Sequence, residues 1–343
     1  MGGSWHEASN WDKENIPKAN DGVAIMLNEG ARIEMNQNKD VVVQRLRISG
    51  DIHLSSGSLR IAELLGSDGT LTQIGGSISS SELTGEESFA INAHYGSWNN
   101  IVLNANASVF SDSSYSTLNI NNGLTINGLL EIENNPDNNY NSRVRIRGPQ
   151  TINGTGQIQL QGERAELTNY GLDHQTEELT ILGPDLTLQG YGKVSTNSSS
   201  DRWRILAPVI GDGGTLYLDR LDNNNQDLDV STSNSGSVRL RYSSKDLSLS
   251  VAPNSDVALD TSGSHSGLVI KGAGTTQIFH NNSFEKLTVL GHGRINGSTS
   301  STTQKATISN DLTVDGTLEL AAHSGGSLTQ LVFTQPQIVD GTG

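Results

Sequence analysis

An apolar residue, any residue, a second apolar residue and then a turn built on glycine: this phrase returns along the whole chain. It reads Leu46-Arg-Ile48-Ser-Gly50, Leu124-Thr-Ile126-Asn-Gly128 and Leu179-Thr-Ile181-Leu-Gly183. Later copies are Leu268-Val-Ile270-Lys-Gly272, Leu287-Thr-Val289-Leu-Gly291 and Leu312-Thr-Val314-Asp-Gly316. Alternation at period two marks a strand with one buried face. In the last third the phrase opens in close succession at Leu268, Leu287 and Leu312. A strand pattern with that recurrence predicts a stack of coils, each burying its apolar face against the next. No long stretch carries helical period, and residues 81–88 could form one turn at most.

The expected architecture is therefore all-β: a right-handed parallel β-helix, a β-solenoid, with an N-terminal cap. The hand follows from the preference of parallel crossover connections. At about 22 residues per coil the chain would make roughly 15 coils. At strand spacing these would stack to roughly 70 Å. Residues 1–4 read as an expression scar. Residues 5–40 read as the cap and first strands, with Trp5, Trp11 and Pro17 covering rungs that would otherwise meet water. Residues 41–343 read as coils of a single domain, with polar loops projecting at 82–100, 133–142, 195–201 and 222–227. Asn and Ser in register on successive coils can form hydrogen-bonded ladders.

Composition narrows the function classes. Only 34% of residues are hydrophobic and 5% aromatic, which suits the thin core of a solenoid better than a globular enzyme. A net charge of −15 argues against duplex nucleic acid as partner, because phosphate contacts need a basic surface. With no cysteine there is no disulfide, zinc thiolate or thiol catalysis. No apolar run is long enough to span a bilayer, so no membrane insertion of this segment is expected. The eight histidines are scattered, and no metal ligand set is expected. No cofactor is expected either. Calcium is the one ion that the Asp- and Asn-rich loops at 133–141 and 222–227 could accept.

Candidate chemistry is sparse. No catalytic residues are assigned. Asp201-Arg202-Trp203-Arg204 sets a carboxylate, two guanidiniums and an indole together, which could bind an acidic sugar. Its plainer reading is a polar loop whose Trp203 packs on a rung. Tyr95, Trp98, Tyr191, Trp203, Tyr217 and Tyr242 are the aromatics that could stack on an extended glycan. Each has the same alternative as a cap or rung residue.

The opening Trp5, Asn10-Trp11, Ile16-Pro17 and Asp21-Gly22-Val23-Ala-Ile25 resembles the start of large secreted bacterial β-solenoid proteins. Thr151-Ile-Asn-Gly-Thr-Gly156, Gly213-Gly-Thr-Leu216 and Asp315-Gly-Thr-Leu318 continue that style. The chain resembles autotransporter passengers and haemagglutinin-like exoproteins. The resemblance implies an extracellular or cell-surface location and an adhesive or scaffolding role, with a glycan or neighbouring cell surface as partner. It carries no catalytic residue, because the matched positions are turns and strands. Two other readings stand beside it. One is a β-helix polysaccharide lyase or hydrolase, which needs acidic and basic groups converging on adjacent coils. The other is a structural stalk or sheath subunit without ligand. The close at Asp340-Gly-Thr-Gly343 has no finishing pattern, so self-association or continuation in a longer chain is also expected.

Overall fold

The structure, a computed structural model, describes residues 3–28, 31–111, 114–137, 139–173, 177–242, 244–260, 262–297, 303–322 and 328–343, without the side chains of 80 and 81. Among these residues there is no α-helix. A single 3-10 turn lies at Ala8–Asn10. The strands pair in parallel throughout and stack as a β-solenoid of about 13 turns. The turns are fewer than a uniform coil implies because coil length varies with its loops. Thr275 pairs with His292 after a short step along the chain, whereas Leu129 reaches its partner Gln157 only after a much longer one. Among the described residues no helix is long and apolar enough to cross a membrane.

Contacts divide the chain into two compact units, Met1–Leu172 and Asp173–Gly343. In the first, register turns the alternating sequence into inward columns. Val41, Leu59, Ile78, Trp98, Ile120, Ile146 and Asn169 follow one another on successive strands. A second column runs Ile33, Ile52, Leu71, Ile91, Ala107, Leu130 and Ile158. A third runs Val23, Leu46, Leu64, Leu83, Leu103 and Ile126. All of these side chains are buried. Each large aliphatic member contributes about 1.5–3 kcal/mol of burial, so the stack is held by many similar increments.

Beside the third column the aliphatic series is interrupted. Ile25 and Ile48 are followed in register by Gly66 and then Gly85. Phe89 explains the change. A Cβ on Gly66 would lie 2.2 Å from the Phe89 ring, and one on Gly85 would lie 2.7 Å from it. The two glycines make room for one ring that is 2% exposed.

At the N-terminal end Gly3 and Ser4 pair in register with Ile33 and Glu34; residues 1 and 2 lie outside the described residues. The Trp5 amide donates to the Glu34 carbonyl at 2.9 Å. Trp5 is 1% exposed, and Trp11 packs edge-on against it at 4.8 Å while donating its indole N–H to the Trp5 carbonyl at 2.9 Å. Pro17 is half-buried in the segment that follows.

The second unit repeats the plan with columns such as Leu218, Leu240, Leu259, Ile278 and Ile295. Its corners show why the recurring phrase ends in glycine. Gly272, with φ +86°, Gly291 and Gly316 stack above one another. A Cβ on Gly291 would meet the Gly272 carbonyl oxygen at 2.6 Å, and one on Gly316 the Gly291 oxygen at 2.1 Å. Polar ladders also form, but on outward positions. Asn127 donates to Asn104 at 2.8 Å, which donates to Glu82 at 2.7 Å, and Thr215 meets Ser237 at 2.9 Å.

Candidate functional site

With Leu216, Leu218, Val238 and Leu240 pointing inward, parity sends Tyr217, Asp219, Arg239 and Arg241 to the outer face of the second unit. Register sets Tyr217 beside Arg239 and Asp219 beside Arg241, one strand spacing apart. Asp219 accepts two hydrogen bonds from Arg241, at 2.8 and 2.9 Å. This is the bidentate fork in which a guanidinium is held most firmly. Burial opposes the Arg241 charge, but the hydrogen bonds and charge of Asp219, with Tyr242 and Tyr217, outweigh it and raise the pKa above the ordinary arginine value. The guanidinium carbon of Arg241 lies 4.8 Å from the Tyr217 ring centre and 5.6 Å from that of Tyr242.

The ribbon turns the corner at Arg220 and Tyr242, which have φ of +52° and +67°. Arg220 lies 4.5 Å over the Tyr242 ring, and that ring is 42% exposed. Arg220 and Arg202 both donate to the Ser199 carbonyl, at 3.5 and 3.0 Å. Tyr217, Arg241, Tyr242, Arg220 and Arg202 therefore form one run of rings and guanidiniums.

A groove of about 480 Å³ lies on the same face, and Arg239 in its lining stands in register beside Tyr217. Its floor is Arg239, Ala258, Gln277 and Asp256, with Phe279 at one end, and its wall is the loop 232–236. The depression arises because Ala258 stands in register between Arg239 and Gln277, two long side chains. Arg239 is fixed by Asp260 at 2.9 Å, and Gln277 donates to Asp256 at 3.1 Å. Asp212 holds the wall, accepting from Ser233 at 2.8 Å, Gln189 at 3.0 Å and Asn234 at 2.7 Å. These hydrogen bonds lower its pKa.

The sequence candidates divide on this frame. Tyr217, Tyr242 and Arg202 come together. Arg204 is outward but tied down by Asp222, donating to its carbonyl at 3.1 Å. Tyr191 is half-buried, its ring flat against Gly214, where a Cβ would meet the ring at 2.9 Å. Tyr95 is 40% exposed but belongs to the first unit.

Three candidates are corrected. Trp98 is fully buried as the central rung of its column, with its indole N–H donated to Gln73 at 2.9 Å. Trp203 is fully buried and donates to the Ser195 carbonyl at 2.7 Å. Asp201 is also buried, accepting from the Ser198 amide at 3.1 Å. Parity along 201–204 sends alternate side chains inward, so the four cannot form one surface. Arg220, Asp219, Arg239, Arg241 and the groove escaped the sequence reading. The run Val238-Arg-Leu240-Arg-Tyr242 held the signal for Arg239 and Arg241, since its alternation already puts both arginines outward.

The face presents guanidinium and amide donors, carboxylate acceptors and exposed aromatic faces, which is the equipment for holding a polyhydroxylated chain. Comparison with known proteins finds no matching family model, no matching curated protein and no matching solved structure. What is established is thus the class, a parallel β-solenoid with a polar, aromatic outer face.

Proposed function

We propose that the chain is a secreted or cell-surface β-solenoid acting as an adhesin or scaffold, and that it binds a glycan along the outer face of the second unit. The observation that carries this reading is the Tyr217–Arg241–Tyr242–Arg220 ribbon with Arg239, which lines the groove beside Ala258, in register next to Tyr217. Tyrosine faces suit the apolar faces of sugar rings. Arg239 and Gln277, each held by a carboxylate, are pre-positioned donors for hydroxyl or carboxyl groups. An open, mostly polar groove suits an extended chain better than a small enclosed ligand.

The test is binding and chain length together. The protein is incubated with acidic and neutral polysaccharides, with and without calcium, and resolved by size exclusion. Co-elution of a neutral polysaccharide with its chains unshortened, lost in Tyr242→Ala and Arg239→Gln, supports the adhesin reading. Shortened chains would replace it with a lyase or hydrolase. Failure of every polysaccharide to co-elute would leave a stalk or a protein-binding scaffold.

A further inference from the structure

The first unit carries a second arrangement of arginines, with a different balance of charge. In the strand Ser142–Arg147 the residues Ser142, Val144 and Ile146 are buried, so Arg143, Arg145 and Arg147 all project from one face. Their Cα atoms are about 7 Å apart along the strand. Arg143 is neutralised by Glu166, its Nε 2.6 Å from the carboxylate. Arg145 and Arg147 form no ion pair among the described residues. Both instead lie over the same ring, Tyr170, with guanidinium carbons 5.1 and 5.7 Å from its centre. The Nε of Arg145 is shut off from solvent and has no acceptor among the described residues. Burial lowers the Arg145 pKa first, repulsion from Arg143 adds to that, and Tyr170 and Glu166 offset it in part. Among the described residues three cations thus stand together where one carboxylate is paired with them, in a chain whose net charge is −15.

The surroundings favour an extended ligand. In register with Arg143 on the two preceding strands stand Thr117 and then Tyr95, 40% exposed; in register with Arg145 stand Asn119 and Ser97. Ahead of these strands Tyr115 and Tyr140 meet edge-on at 5.1 Å, and are 55% and 37% exposed.

We propose that the outer face around Arg145 and Arg147 binds an oxyanion substituent, sulfate or carboxylate, of an acidic polysaccharide. The anion supplies the counter-charge that Tyr170 cannot. Hydroxyl and amide groups on Thr117, Asn119 and Ser97 meet the sugar hydroxyls beside it. The strongly negative chain makes nucleic acid the poorer polyanion, because its long phosphate track would meet carboxylates beyond this short arginine row.

The test uses the full chain in a Tyr242→Ala background, so that ligand held by the second unit's ribbon does not mask the result and the two readings fail separately. Dextran sulfate, polygalacturonate, neutral dextran and a single-stranded oligonucleotide are titrated at several salt concentrations, and folding is checked by circular dichroism. The expected result is binding of dextran sulfate, polygalacturonate or both, without neutral dextran. Arg145→Gln and Arg147→Gln each weaken it about tenfold and each lower the salt slope by about 1. Which polymer binds assigns the substituent. No binding of either acidic polysaccharide, affinity unchanged in both variants, or an oligonucleotide that binds more tightly than both polymers would each overturn the proposal.

Discussion

The Asp219–Arg241 fork is the part of the second unit's outer face whose contribution can be worked out most directly. Its hydrogen bonds are 2.8 and 2.9 Å long, and its side chains are 6% and 22% exposed. An exposed ion pair contributes about 0–1 kcal/mol. Removing one partner of a fully buried pair costs about 3–5 kcal/mol, because the other charge is stranded. This pair lies between the limits. Asp219→Ala leaves Arg241 against Tyr217 and Tyr242 with no counter-charge, and should cost about 2–3 kcal/mol. Arg241→Gln leaves Asp219, the more buried of the two, without the guanidinium and should cost at least as much. The double variant no longer strands a charge, so the two losses should fall short of additivity by about 1–2 kcal/mol. Urea unfolding of the four proteins, followed by circular dichroism, measures the cycle. Glycan co-elution measured on the same proteins should fall in both single variants, since Asp219→Ala lets the Arg241 stack on Tyr217 drift and Arg241→Gln removes it. Additive losses within about 0.3 kcal/mol, or full binding in Asp219→Ala, would refute the claim that the carboxylate sets the ribbon's geometry.

Three further outcomes are expected. Gly66→Ala brings a methyl within 2.2 Å of the Phe89 ring, which Gly85 confines on the next coil; it should cost about 1–3 kcal/mol in urea unfolding, and Phe89→Leu in the same chain should recover part of that loss. Trp98→Phe keeps the rung but removes the donor to Gln73 at 2.9 Å, so it should lower stability by about 1–3 kcal/mol without changing glycan binding. His265 is buried, with Nδ1 2.7 Å from the Ser244 hydroxyl and Nε2 3.1 Å from Asn282 Oδ1, and burial lowers its pKa despite the Asn282 bond. Above pH about 6.5 neither folded nor unfolded chain protonates it; below that the unfolded chain binds a proton the folded one refuses. Stability should therefore decline as pH falls from about 6.5 toward the lowered folded value, and the urea midpoint of His265→Gln should decline less over that window.

The fold was legible because it is written in local terms. Period two, a corner glycine and the return of both are visible without any long-range knowledge, and the stacked column at Gly272, Gly291 and Gly316 is that phrase in three dimensions. Sites in a parallel stack depend on register, which local pattern does not carry. Tyr217 and Arg239 are distant in sequence and adjacent in space only because Leu216 stacks on Val238. Loop insertions stretch the coil from the short step between Thr275 and His292 to the long one between Leu129 and Gln157, so no fixed repeat would have aligned them. Composition misled in one respect as well. Trp98 and Trp203 could be either ligand platforms or rung residues from sequence, and both are fully buried; with the cap residue Trp5 they are the three largest fully buried side chains. A thin core with few aromatics uses its largest rings to fill wide rungs, and leaves stacking surfaces to tyrosine, whose hydroxyl tolerates water.

The same logic separates the two arginine surfaces physically. Around Tyr217 the cations Arg239 and Arg241 each have a carboxylate in contact, Asp260 and Asp219. They can still donate, but a ligand gains little net charge there, so binding should depend on shape and stacking and respond weakly to salt. Around Tyr170 two of three guanidiniums have an aromatic ring in place of a carboxylate. A ring quadrupole steadies a cation without cancelling it, so long-range attraction survives and binding there should weaken steeply as salt rises. On the two proposals, the face around Tyr217 would read the form of a sugar chain and the face around Tyr170 its charge.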